Sequence, residues 1–265
     1  MFVILADRTS RHAAGPDRGH PGLPCPVPSL DPAATPFVMG AAAPAAAAGL
    51  WGRPRLALTL VTLPLAVAAF FRDPDRTPDH RQPDADVVLA PADGRVMHAG
   101  PAAPEVAPGD APEGGWQQVS IFLSLFDVHV NRSPYAGRVE DVTYRPGSWH
   151  AAYRFESATE NERSEITLRR VDDGVGGGDG IGEADRRVVF RQVVGLVARR
   201  VVTRVRPGDV VRTGQRIGVM KFGSRMDVFL PPEVQLTTAV GDRTVAGETV
   251  VGRWPGEPGR PASSS

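Results

Sequence analysis

Apolar and polar positions alternate with a period of two along much of the chain between residues 84 and 254. "AGRVEDVTYRPG", "RSEITLRR" and "RRVVFRQVVG" show the pattern clearly. A period of two turns one face of a strand inward and the other to solvent. "DVVLAPADGRV", "WQQVSIFLSLFDVHV", "ARRVVTRV", "DVVRTGQRIGVM", "MDVFLP" and "VQLTTAV" extend the set. Turn signals such as Pro207-Gly208 separate them. No strand–helix–strand alternation recurs. The pattern therefore predicts a mainly β domain, barrel-like or sandwich, over residues 84–254.

Upstream the pattern changes to nearly continuous apolar runs. "PFVMGAAAPAAAAGL" is Ala-rich and weakly apolar, whereas "LALTLVTLPLAVAAFF", Leu56–Phe71, is stronger. The second run is shorter than the roughly 20 residues of a full membrane span. Arg53 and Arg55 precede it and Arg72 and Arg76 follow, so charge does not orient it. Segment 37–72 is expected to associate with a membrane, as a short hairpin or an interfacial helix kinked at Pro64. A buried core helix is the alternative. Residues 1–36 are rich in Pro, Gly, Asp and Arg without periodicity, and are expected to lack regular structure. They do not form a signal-peptide pattern, and Met39 is an alternative start. The tail 255–265 reads as disordered. The acidic stretch 171–185, "VDDGVGGGDGIGEAD", reads as a solvated insertion whose spacing matches no calcium loop.

Composition narrows the function classes. Lys plus Arg is 30 and Asp plus Glu is 30, which removes the electrostatic case for a nucleic-acid partner. The single cysteine, Cys25, excludes an internal disulfide framework and a multi-cysteine metal site, and no metal is expected.

Candidate chemistry concentrates in "GVMKFGSRMDVFLPP", residues 218–232, a strand-like run interrupted by Gly223-Ser224. Two readings compete. "RPGDVVRTGQRIGVMKFG" is similar to the turn pattern of biotinyl and lipoyl carrier domains, which would make Lys221 the modified residue. The second centres on Ser224. A glycine puts no side chain before its own carbonyl, so Ser224 Oγ could attack the Gly223 carbonyl and shift the acyl group from nitrogen to oxygen. Elimination and hydrolysis would leave a pyruvoyl group, an electrophile for amine substrates. A Gly-Ser pair alone is usually an ordinary turn.

Further motifs give that pair a setting. "FFRDPDRTP" (70–78), "PADGRV" (91–96), "SLFDVHVNRSPYAGRV" (124–139), "NERSEI" (161–166) and "KFGSRMDVFLP" (221–231) follow one another along the chain. Together they resemble the phosphatidylserine decarboxylase family, its shorter bacterial and archaeal branch, from about residue 66 to 254. The resemblance implies a pyruvoyl cofactor formed from Ser224 by self-cleavage after Gly223. It implies two fragments, 1–223 and 224–265, that stay together and leave room for a homo-oligomer. It implies phosphatidylserine in the membrane as the substrate, bound as a Schiff base. Asp93 takes the place of the aspartate implicated in self-processing, and His129 that of the histidine assigned to decarboxylation. The implied location is the cytoplasmic face of the cell membrane, peripheral or shallowly anchored.

The chain departs from the longer relatives at one position. They carry a second histidine where this chain has Arg132, and arginine cannot act as a base. His98 and His150 are the other histidines of the domain. Arg132 and Arg225 are candidates for holding the substrate phosphate or carboxylate. A carrier domain or a noncatalytic membrane-anchored adaptor would each run as one intact chain on a denaturing gel.

Overall fold

The computed structural model describes residues 29–76, 86–170, 186–196, 201–221 and 223–255. The protein is mainly β, with a curled half-barrel sheet at its centre. Eight antiparallel strands form that sheet in the order Val210–Val211, Gly137–Arg145, Arg163–Arg169, Arg187–Val193, Ser224–Leu230, Gln117–Leu123, Gly94–Pro101 and Arg243–Thr244. Two three-stranded sheets flank it. One joins Val202–Thr203, Arg216–Val219 and Val130–Arg132; the other joins Gln235–Leu236, Val250–Arg253 and Val87–Leu89.

The run 218–232 divides into the strands Arg216–Val219 and Ser224–Leu230. The second is buried along its whole length, because both sheet faces are covered there. Met226, Val228 and Leu230 enter the main core with Ile121, Leu123, Ile166 and Phe190. Phe229 enters a second cluster with Val106, Trp116, Ala158 and Val189. Alternation therefore puts Ser224 on the Met226 face and Arg225 on the opposite one.

The apolar N-terminal segment is a helical hairpin of Thr35–Leu50, Pro54–Leu60 and Thr62–Phe70. Gly52, at φ +67°, makes the turn between the arms. The second arm breaks at Val61, because Pro64 lacks the N–H that would bond the Leu60 carbonyl. The stretch Pro32–Leu50 is long and apolar enough to cross a membrane, whereas Pro54–Phe70 is shorter. The sequence ranks the two arms the other way round, because the helix gains residues before Pro36 that composition assigns to disorder.

Those residues correct the expectation for 29–36. Ser29–Leu30 pairs antiparallel with Arg72–Asp73. The Asp31 side chain accepts from Ala33 N at 2.9 Å and caps the turn Pro32–Ala34. An aspartate cap followed by proline is a helix-start signal, not only a disorder-prone composition. Ala34 is then buried against Phe70 and Phe71. The rest of the expected N-terminal disorder, the 171–185 insertion and the tail from 256 lie outside the described residues.

Register brings three strand ends together. Ser224 lies opposite Leu123, and Arg95 lies opposite Phe122. Ser224 and Asp93 thus flank the C-terminal end of the same strand, Gln117–Leu123. The chain leaving that strand leads directly to His129.

Candidate active site

Ser224 is completely buried at the start of its strand. Gly223 before it has φ +66°, a left-handed conformation that glycine adopts without strain. Among the described residues, Ser224 Oγ makes one long contact, 3.5 Å to the Lys221 carbonyl oxygen. At that length the hydroxyl is barely committed.

The carbonyl of the Gly223–Ser224 bond lies against Gly195. A Cβ at position 195 would sit 1.6 Å from the Gly223 oxygen. The backbone there is held by the "NERSEI" segment. Asn161, fully buried, donates through Nδ2 to the Val194 carbonyl at 2.7 Å and to the His150 carbonyl at 2.8 Å. Its Oδ1 accepts from His150 N at 2.8 Å, and Val194 N donates to the Glu162 carbonyl at 3.1 Å. Gly195→Ala should push this carbonyl out of place and slow any reaction at it by about 10²-fold or more, the usual cost of a misplacement near 1 Å. Chain cleavage at the same rate in the variant and the parent would contradict the placement.

His129 is 1% exposed. Its Nδ1 lies 2.9 Å from the Asp127 carbonyl oxygen. A carbonyl only accepts, so Nδ1 carries the proton and Nε2 presents a lone pair. Nε2 is buried and has no hydrogen-bond partner among the described residues. The Phe70 ring, from the end of the helical hairpin, covers the imidazole at 4.1 Å between centroids. Burial lowers the His129 pKa to about 4, against weaker raising effects from the Asp127 backbone and the Asp127 and Asp93 charges. The imidazole is therefore neutral at physiological pH and rests as a base.

That shift has a stability consequence. The unfolded chain takes a proton at 6.5 and the folded chain only near 4. Stability is complete above pH 6.5 and falls as pH drops towards 4, by roughly 3 kcal/mol for this group. Denaturant unfolding of Ser224→Ala and of Ser224→Ala/His129→Gln at pH 7 and pH 4.5 isolates the effect. The second protein should lose less stability on acidification; equal losses would contradict the shift.

Asp93 is held by Arg76, which donates from Nη1 to Oδ1 and from Nη2 to Oδ2, the latter at 2.7 Å. Ala246 N also donates to Oδ1, at 2.8 Å. The structure brings Asp93, His129 and Ser224 to one end of the sheet, with no direct hydrogen bond between any two of them among the described residues.

The two candidate arginines differ from this. Arg132 is buried and spends its donors on the Gly214 carbonyl at 3.0 Å, the Pro74 carbonyl at 3.0 Å and Asp73 at 3.5 Å. It clamps the segment that leads to Arg76. Arg225 is on the opposite face from Ser224, on Asp227 at 2.7 Å and Ser120 at 3.1 Å. The structure does not bring Arg225 to the serine. His98 contacts the Pro101 carbonyl at 3.0 Å, and His150 pairs with Glu160 at 2.9 Å. Lys221 is half-buried, with its ammonium over the Phe37 ring at 4.7 Å, whereas a carrier lysine must project freely from its turn. Phe222 lies outside the described residues.

Three contributors escape the sequence reading: Gly195, Arg76 and Phe70. Phe70 and Arg76 both lie inside the segment 70–78, but their partners His129 and Asp93 are tertiary facts. Gly195 offered one signal, a glycine directly after a strand-like run.

Comparison with known proteins finds relatives along most of the chain. The phosphatidylserine decarboxylase family profile matches residues 63–252. A phosphatidylserine decarboxylase proenzyme of Solibacter usitatus is 40% identical over 217 residues, covering 82% of this chain and 93% of its own length. The proenzyme of Salinibacter ruber is 43% identical over 221 residues, covering 82% and 88%. That of Mycobacterium ulcerans is 40% identical over 232 residues, covering 86% and 88%. The match runs from the second arm of the hairpin through the β domain, and the chain belongs to the phosphatidylserine decarboxylase family.

Proposed function

We propose that this chain converts phosphatidylserine to phosphatidylethanolamine and carbon dioxide, after cutting itself between Gly223 and Ser224 to make a pyruvoyl group from Ser224. The observation that carries the reading is the Gly223-Ser224 bond at the buried start of its strand, with a hydroxyl nearly uncommitted among the described residues on one side and Gly195 against the carbonyl on the other. Family membership supplies the reaction class.

Self-cleavage uses atoms of the chain itself. Ser224 Oγ adds to the Gly223 carbonyl carbon, the C–N bond breaks, and the freed nitrogen takes the hydroxyl proton. Gly223 is then an acyl group on the serine oxygen. Loss of the Ser224 Cα proton expels it as a carboxylate. Water finally releases the nitrogen of residue 224 as ammonia. Asp93, at the same sheet end, is a candidate relay that takes the hydroxyl proton and passes it to the freed nitrogen once Arg76 yields part of its grip.

The residues present fit the group that results, because a buried imidazole nitrogen, unpartnered among the described residues, stands at the same sheet end. The pyruvoyl carbonyl supplies the electron sink for decarboxylating an amine-bearing substrate. His129 Nε2, neutral at physiological pH, takes a proton from the incoming serine ammonium. Burial disfavours the imidazolium, so the ring relays the proton rather than storing it and delivers it to the substrate carbon that has lost carbon dioxide. Phe70 and the burial of His129 keep water from intercepting it. The cut chain stays assembled, because Ser224–Leu230 is paired on both sides within the sheet.

The apolar hairpin gives the enzyme a place beside its lipid substrate, and we assign the protein to a membrane surface on that ground; its cytoplasmic face is the side that the family resemblance implies. Carbon dioxide release from phosphatidylserine vesicles by processed protein tests the reading. Processed protein inert towards phosphatidylserine would overturn it.

A further inference from the structure

Five large apolar side chains project into solvent around the end of the sheet that holds Ser224. Leu125 and Phe126 form the tip of the turn after Gln117–Leu123, and Phe126 is 85% exposed. Tyr153 and Phe155 project from a second loop, with the exposed Arg154 between them. Leu196, 67% exposed, follows Gly195 directly. Scattered apolar residues on a surface mean little, but a group ringing one site marks a contact surface.

These side chains are not on slack loops. Asp127 accepts from Ser124 N at 2.8 Å and Ser124 Oγ at 2.7 Å, which closes the turn and turns its tip outward. The Asp127 carbonyl in turn takes His129 Nδ1. Tyr153 meets Phe122 edge-on at 6.2 Å, and Ala152 beside it packs near Gly195. The rim is thus tied to the groups around the scissile bond.

We propose that this rim is a second membrane contact, which sets the mouth of the site onto the headgroup layer of an anionic bilayer. The proposal rests on the lipid-substrate reading above. Two observations choose a bilayer over a protein. The rim continues the apolar hairpin: Arg72, two residues beyond the hairpin, donates to the Phe126 carbonyl at 2.6 Å. Its chemistry is also interfacial, with aromatic rings and an arginine side by side, the combination that settles between acyl chains and phosphates. The hairpin fixes the protein to the membrane, and the rim fixes how the site faces it.

The test uses the full chain with Cys25→Ser and one new cysteine carrying a polarity-sensitive dye. The cysteine is placed at Phe126, at Phe155 or, as a control at the far end of the sheet, at Val210. Vesicles of phosphatidylcholine and phosphatidylglycerol contain no substrate, so the dye reads contact independently of turnover. The dye at 126 and 155 should shift to the blue on vesicle addition, and the dye at 210 should not. Phe126→Ser/Phe155→Ser should cleave itself normally and keep its turnover of dispersed short-chain phosphatidylserine, while losing about tenfold on vesicle-embedded substrate. No dye shift at 126 and 155 would overturn the proposal. So would a shift that appears without vesicles as protein concentration rises, which would make the rim a contact between copies. Equal losses on dispersed and embedded substrate would make the rim merely structural. A protein that decarboxylates neither substrate yet shows the dye shift would defeat the proposed reaction and leave the membrane contact standing.

Discussion

Ser224→Ala should remain a single uncut chain without decarboxylase activity. Alanine has no oxygen to add to the Gly223 carbonyl, and no other hydroxyl can lead to a keto group at residue 224. Folding should survive. Ser224 is buried but makes only one long polar contact among the described residues, so its removal leaves no strong donor or acceptor stranded. The expected loss is the whole of the catalysis, because the electrophile never forms. A denaturing gel and a carbon dioxide assay read both outcomes. Cleavage in Ser224→Ala would move the cut elsewhere, and activity without cleavage would remove the pyruvoyl group from the mechanism.

The second large effect is at His129. His129→Ala, once processed, should lose 10²–10⁴-fold in turnover, the usual cost of removing a general acid or base. The pH profile adds a sharper mark. The working form is the neutral imidazole, and the group takes its proton only near pH 4. The acid limb that His129 imposes on the free enzyme should thus lie well below the ordinary histidine range, and should vanish in the variant. Self-cleavage should slow without stopping, because Asp93 stands at the same sheet end as another acceptor. Normal turnover by processed His129→Ala would remove the histidine from the chemistry. Complete loss of cleavage, with folding intact, would give it both steps.

Much of the fold was legible because strands of period two announce themselves. Arg163–Arg169 alternates buried and half-buried positions as "RSEITLRR" predicts. Ser224–Leu230 is harder, since burial on both faces erases alternation and leaves only an apolar run with two charges. The same period of two was enough to separate Ser224 from Arg225. Neighbours on a strand face opposite ways, and the Arg225 guanidinium is spent on Asp227 and Ser120.

What the sequence could not show is mostly a matter of long-range approach. Nothing in "RQVVG" says that Gly195 will meet a carbonyl 28 residues away. Phe70 closes an apolar run that reads as lipid-facing, yet it covers an imidazole. The hairpin is consequently not a detachable anchor. Its root carries Phe71, 1% exposed, and Asp31 pairs with Arg204 at 2.6 Å. Removing the chain through residue 71 would uncover His129 as well as detach the membrane element. The role of Arg132 was hidden for the same reason, because its partners Asp73 and Pro74 are distant in sequence.

The central claim is that Ser224 becomes a pyruvoyl group, and the intact mass of the purified protein tests it most directly. The account predicts two pieces, 1–223 and 224–265. The smaller should weigh one ammonia less than the encoded peptide and should resist Edman degradation. A small piece with the full encoded mass and a free amino terminus, or a single uncut chain that releases carbon dioxide from phosphatidylserine, would contradict it.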